Sequence, residues 1–347
     1  MSLEKKPFGV TPSGTPVDEY TLSNAHGLSA KVMTYGAILT SMRTPDRDGR
    51  YDEINLGFDD LDGYLRGHPY FGAIVGRYAG RIHPPQFELD GEIFELAKTE
   101  GEAHLHGGVT GFDKVVWKAT VGADTESNPS VALSYLSQDG EEGYPGNLDC
   151  TVTYTLASEN ELRIDYSATT DKSTYLNLTN HAYWNLAGAG AGNVYSHELT
   201  LNGHQITELD ANLIPTGRLQ RVDGTPYDFR QPKVIGRDIG QLREGYDTCF
   251  ILNKSEAAGL SQAADVHDPN SGRRLQVYTT QPTVVLYTGN YLDGIRGSSD
   301  AIFNKHDAFC LEAEHYPNAP NRPEYPPARL DPGQSYRHTT VHRFSVN

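Results

Sequence analysis

Residues 310–321 read CLEAEHYPNAPN and place Glu312 and Glu314 one residue apart, just before His315. On a strand, side chains two apart share a face. Phe309, Leu311 and Ala313 then form an apolar face, and Cys310, Glu312, Glu314 and Tyr316 form the other. Mid-strand carboxylates are seldom buried without a partner, so this face is either solvated or part of a polar site. Residues 174–186, TYLNLTNHAYWNL, show a second polar face. Leu176, Leu178, Ala182 and Trp184 alternate to one side, interrupted by Asn180, and Tyr175, Asn177, Thr179, His181, Tyr183 and Asn185 to the other. Aromatic rings stack on the C–H faces of a pyranose, and amides and imidazoles hydrogen-bond its hydroxyls. The same residue types also suit a buried polar network. In EAHLHGGVTGFD (102–113), His104 and His106 alternate to one side and raise the question of a metal. A β-rich metal site of that type wants a carboxylate a few residues on, and 107–112 offers none. Gly107-Gly108 reads instead as a turn or a close backbone approach. Arg77 and Arg81 lie four apart in VGRYAGRI, and Asp247 opens the apolar run of GYDTCFIL, where an acid belongs only if it reaches a cleft.

Strands must position these groups. The chain has 347 residues with 21 Tyr, 35 Gly, 20 Pro and only 3 Met, a composition that favours sheets and turns over helices. FELDGEIFEL (87–96) is a hairpin around Asp90-Gly91, and 150–170 is two alternating runs around a polar turn. Residues 174–186, 273–281, 283–289, 307–315 and 335–346 also read as strands. The stretches 122–130, 253–272 and 318–327 read as loops; the second is expected to be an insertion between strands, with room for one or two helical turns. No amphipathic pattern of ten or more helical residues stands out. The expectation is all-β: one antiparallel β-sandwich over 1–347, a single domain curled enough to leave a concave face.

The formal net charge of −16, with no Lys/Arg run, makes nucleic acid an unsuitable partner. Three scattered cysteines make no disulfide framework. The N-terminal residues lack the apolar core of a secretory signal, and no apolar run is long enough to span a membrane. A soluble, cytoplasmic protein is expected, either a monomer or a homodimer.

Taken in order, FGAIVGRYAGRI (71–82), LHGGVTGFDKVVW (105–117), LNLTNHAYWNLAG (176–188), GYDTCFIL (245–252), TTQP with YTGNYL (279–292) and CLEAEHYPNAPNRPEYPP (310–327) resemble the galactose mutarotase (aldose 1-epimerase) family. The resemblance covers most of the chain. It implies a large β-sandwich with a sugar-binding cleft, acting on a free aldohexose such as D-galactose or D-glucose without a cofactor or metal. The family's proton acceptor maps onto Glu312 and its proton donor onto His181. His106 matches a sugar ligand, and Arg81, Asp247 and Gln281 match groups that bind sugar hydroxyls; Tyr183 lies beside His181. Gly80, Ala103, Thr248 and Glu314 depart from the family's usual Asn, Asn, His and Gln.

Anomerisation needs one proton removed from the C1 hydroxyl and one given to the ring oxygen, so one base and one acid suffice. Glu314 is expected to act as a modulator, raising the pKa of Glu312 by its charge. Three other readings compete. An idle carbohydrate-binding module would not need both His181 and Glu312. A glycosidase would pair Glu312 with Asp247 and leave the histidines unused. An epimerase of hexose phosphates would want more cations than Arg77 and Arg81.

Overall fold

The computed structural model describes residues 1–123 and 128–347, so the middle of the 122–130 loop lies outside the described residues. Three antiparallel sheets carry the architecture. The first has five strands in chain order: Ser2–Val10, Pro16–Ser23, Ser29–Met33, Leu39–Pro45 and Tyr51–Glu53. The second has nine, in the order Lys118–Val121, Ser130–Ser137, Leu148–Leu156, Glu161–Thr170, Tyr336–Val346, Arg273–Thr279, Ser261–His267, Glu198–Leu201 and Lys233–Val234. The third has five: Pro215–Arg221, Gly203–Leu209, Asp247–Leu252, Thr283–Tyr287 and Cys310–Glu314. Among the described residues the two α-helices, Leu61–Leu65 and Gly236–Ile239, are single turns.

The sandwich forms because alternating residues of all three sheets bury against each other. Leu22 and Val32 come from the first sheet, Val152, Ile164, Val277 and Phe344 from the second, and Phe250, Leu286 and Leu311 from the third. Burying each large apolar side chain contributes about 1.5–3 kcal/mol. The expected hairpin is present, with Phe87 opposite Phe94 across Asp90-Gly91. Leu148–Leu156 pairs with Glu161–Thr170 through nine residues, where the alternating runs lie.

Two expectations need correction. Residues 253–272 are not merely an insertion: Ser261–His267 is an inner strand of the nine-stranded sheet, paired on both edges. A register shift between Gln262 and Ala264 breaks its alternation, so the pattern is faint in the sequence. Residues 174–186 are not one strand but two short pairings, Thr174–Tyr175 and Thr179–Asn180, with isolated bridges from Asn177 to Tyr78 and from Trp184 to Asn55 and Phe309. Both sides of 176–186 are buried, so it has no solvent face.

The third sheet makes the floor of a cleft. Register places Asp247 opposite Tyr287, and Cys249 opposite Val285. It places Thr283, Val285 and Tyr287 opposite Glu314, Glu312 and Cys310. Period-two alternation puts all of these on one face, while Phe250, Leu286 and Leu311 turn into the core.

Candidate active site

A cavity of about 220 Å³ lies on that floor. Asp247, Cys249, Val285, Tyr287, Glu312 and Glu314 line it from the sheet, and Tyr70, Arg81, His106, His181 and Tyr183 line it from the loops above. That is room for one pyranose; sites for larger ligands run about 300–1,000 Å³. A larger groove of about 750 Å³ holds Arg230, Lys233 and Arg237. Its cations are already paired with Asp228 and Asp238, so it offers little unspent chemistry.

His181 is held by its backbone, which donates to Ala73 O at 2.9 Å and accepts from Gly72 N at 3.0 Å. Its ring is stacked between Tyr183, 4.9 Å away, and Tyr70, 5.8 Å away, both nearly parallel to it. Nε2 then stands 3.5 Å from Glu312 Oε2, with both side chains 5% exposed. Burial lowers the His181 pKa to about 3. Burial also pushes Glu312 well above the carboxylate range; Asp247 adds to this and Arg81 opposes it. The free pair therefore keeps its proton on the carboxyl. Its ionic form, carboxylate and imidazolium, is an isomer with the same proton count, and polar groups brought by a ligand favour it.

His106 sits where the chain leaves the short His104–Leu105 pairing, in a left-handed conformation with φ +53°. Alternation stops there, so His104 and His106 do not share a side as the sequence suggests. His104 is fully buried, bonded to Ala97 O at 2.9 Å, and outside the cavity wall. Gly107 follows because any Cβ there would lie 1.8 Å from Gly76 O. The Gly80 N–H donates to His106 Nδ1 at 3.1 Å, so a neutral His106 carries its hydrogen on Nε2. Burial, with His181 and Arg81, keeps the ring neutral. Donor atoms of His106, His181 and Glu312 all lie within 4.8 Å of one another, a spacing an ion could bridge. An ion on His106 would have to break the Gly80 bond or displace the Nε2 hydrogen, so the arrangement suits a hydrogen-bond donor better than a metal ligand.

Arg81 is clamped. Glu100 accepts from its Nε at 2.5 Å and its Nη2 at 3.1 Å, leaving Nη1 3.5 Å from Asp247. Burial opposes the charge, but Asp247 and Glu100 outweigh it and hold the guanidinium protonated. Glu100, Tyr70, Tyr287 and Tyr291 line the cavity without having been singled out in the sequence. Shared parity with Asp247 across the sheet was the only available signal, and it points to Tyr287 alone.

Other expected residues lie elsewhere. Gln281 is fully buried and does not line the cavity; its Nε2 donates to Tyr336 Oη at 2.9 Å. Arg77 is spent on Ser137, Gln138 and Pro145 inside the fold. Asn177 and Asn185 donate to backbone carbonyls of Ala79 and Asp307. Ala103 and Thr248 are buried outside the cavity wall. Glu314 is 1% exposed, which excludes a wet rim. Burial raises both carboxyls, and the repulsion between Glu312 and Glu314 acts on each of them, with Asp247 adding to it.

With this geometry in place, likeness to known proteins identifies the fold's lineage. The aldose 1-epimerase family profile matches residues 18–343. The chain belongs to the aldose 1-epimerase family. Galactose mutarotase of Sus scrofa is 43% identical over 100% of this chain and 99% of its own length. Aldose 1-epimerase of Escherichia coli K12 is 35% identical, covering 96% of this chain and 97% of its own. Among solved structures, the aldose epimerase homologue from C. elegans superposes with a TM-score of 0.87 at 31% identity, covering 94% of this chain and 98% of that one. Galactose 1-epimerase of Lactobacillus acidophilus gives 0.86 at 29% identity, covering 100% and 99%.

Proposed function

We infer that the cavity is the catalytic centre of an aldose 1-epimerase that interconverts the α and β anomers of free aldohexoses such as D-galactose and D-glucose. Full-length similarity to galactose mutarotases supports the activity. The observation that carries the site assignment is the buried His181–Glu312 pair, 3.5 Å apart, in a cavity sized for one pyranose.

In this reading Glu312, as carboxylate, takes the proton of the C1 hydroxyl while imidazolium His181 protonates the ring oxygen. The C1–O5 bond breaks and leaves an aldehyde and a C5 hydroxyl. Rotation about C1–C2 presents the other carbonyl face. The C5 hydroxyl re-adds to C1 and returns its proton to His181, and Glu312 gives its proton to O1. The pair ends as it began. Each positioned group contributes about 10²–10⁴-fold. Arg81 and Asp247 bind hydroxyls while C1 turns, which keeps the open chain in place. His106 donates through Nε2, and Tyr183 and Tyr70 fix the His181 ring.

The glycosidase reading is disfavoured because Asp247 is committed to Arg81 and the histidine stands on Glu312. Nothing in the geometry favours a binding module that would leave this pair idle. We further propose a single domain over 1–347, cytoplasmic, monomeric or homodimeric, with no nucleic-acid partner. Three free, buried cysteines and the acidic surface support this, and no described helix is long and apolar enough to cross a membrane. Polarimetry on freshly dissolved α-D-galactose and α-D-glucose tests the activity. Relaxation faster than buffer is expected, and relaxation at the buffer rate with both sugars would overturn it.

A further inference from the structure

Glu314 is a buried acid that the two proton transfers do not use. Its Oε1 has no hydrogen-bond partner, although the residue is 1% exposed and lines the cavity. Leaving such an atom unsatisfied is costly, and a ligand that hydrogen-bonds it removes the cost. The rest of the residue is accounted for. Its backbone carbonyl accepts from Thr283 Oγ1 at 2.7 Å, and the strand pairing places Thr283 opposite it. Only the carboxyl is free.

The wall beside it explains why. Gly80 has φ +78°, and a Cβ built there would lie 3.3 Å from Glu314 Oε1 and 3.1 Å from Pro317 Cβ. The space a side chain at position 80 would enter is thus the space Glu314 faces. Gly80 also has no main-chain group to spare, because its N–H donates to His106 Nδ1 and its carbonyl accepts from the His106 N–H. Glu314 therefore brings an uncommitted polar group to this side of the cavity. Register puts it on the same face as Glu312, two residues along, about 7 Å by strand rise, which is within the span of one pyranose.

We propose that Glu314 is a specificity-determining substrate ligand, whose carboxyl hydrogen-bonds one hydroxyl of the bound aldose on the Gly80 side of the ring. This rests on the cavity being the anomerisation site. Burial and the charge of Glu312 keep the proton on Glu314, so the group can both donate to and accept from that hydroxyl. Such a contact rejects a sugar that lacks or inverts the hydroxyl, because a buried polar group is then left unpaired.

The test crosses a variant with a substrate series. Glu314→Met keeps the volume and removes the polar atoms. Wild type and variant are assayed by polarimetry with D-galactose, D-glucose and the 2-, 3-, 4- and 6-deoxy forms of D-galactose. The variant is expected to melt no lower than wild type and to lose about ten- to a hundredfold in kcat/KM on the favoured hexose. On one deoxy sugar alone it should lose less than threefold, and Glu314→Gln should restore the wild-type pattern across the series. Equal losses on every sugar, or no loss, would overturn the proposal, as would a variant that fails to fold, since the fold would then depend on the carboxyl. If wild type anomerises none of these sugars, the site reading itself fails, a result distinct from anomerisation without discrimination.

Discussion

Asp247→Asn should move the basic limb of the activity profile to lower pH. In the proposed mechanism the His181–Glu312 pair must hold one proton, which the free enzyme keeps on Glu312, so activity falls as pH climbs through the Glu312 pKa. Burial and then Asp247 raise that pKa. Asp247 faces Tyr287, and Tyr287 faces Cys310, so Glu312 is two strands away and two residues along. Strand spacing and rise put the Cα atoms about 12 Å apart, and side chains converging on one cavity bring the charges to about 10 Å. At an effective dielectric of about 20, two such charges repel by about 1.7 kcal/mol, or about 1.2 pH units. Removing the Asp247 charge also leaves Arg81 less compensated, which acts in the same direction. The expected result is a downward shift of about one unit in the basic limb of kcat/KM, measured by polarimetry across pH 5–9, together with a raised KM. A limb within about 0.3 units of wild type would refute the claim that Asp247 tunes the base, because the charge has been removed without loss of shape.

Two further outcomes follow from the packing. Glu100→Gln leaves one acceptor for two Arg81 donors; as Glu100 is 40% exposed, the loss should be about 1 kcal/mol, read as about a fivefold rise in KM with kcat within twofold. An equal fall in kcat would show that Arg81 acts on the proton transfers instead. Arg77→Ala strands buried acceptors on Ser137, Gln138 and Pro145 and should cost at least about 3 kcal/mol in urea unfolding; a loss below about 0.5 kcal/mol would deny it a structural role.

The sheets were legible where alternation is uninterrupted. Leu148–Leu156 and Glu161–Thr170 follow their sequence pattern nearly residue for residue, and Tyr336–Val346 fills the span expected for it. The face of Cys310–Glu314 was legible for the same reason, and so was the placement of Glu312 beside Glu314. The pairing with His181 was not. It joins an edge strand to a loop 131 positions earlier in the chain, and only the family resemblance brought the two together. Loops defeat periodicity. His106 and Tyr70 hold left-handed backbones at φ +53° and +63°, so their neighbours say nothing about where they point. Residue type misled at Asn177, Asn185 and Gln281, since amides bind backbone or tyrosine as readily as sugar. Glu100 sits in KTEGEAH among other charges, and nothing distinguishes it until Arg81 folds onto it.

In the proposed mechanism Glu312 moves a proton and does not merely bind sugar. Glu312→Gln keeps the shape and the hydrogen-bonding capacity but removes the base. Its anomerisation rate on α-D-galactose, followed by polarimetry, is to be set beside its Kd for the sugar by calorimetry. The expected result is a rate lowered at least about a thousandfold with Kd within about fivefold of wild type. A rate within tenfold of wild type, at unchanged affinity, would contradict it.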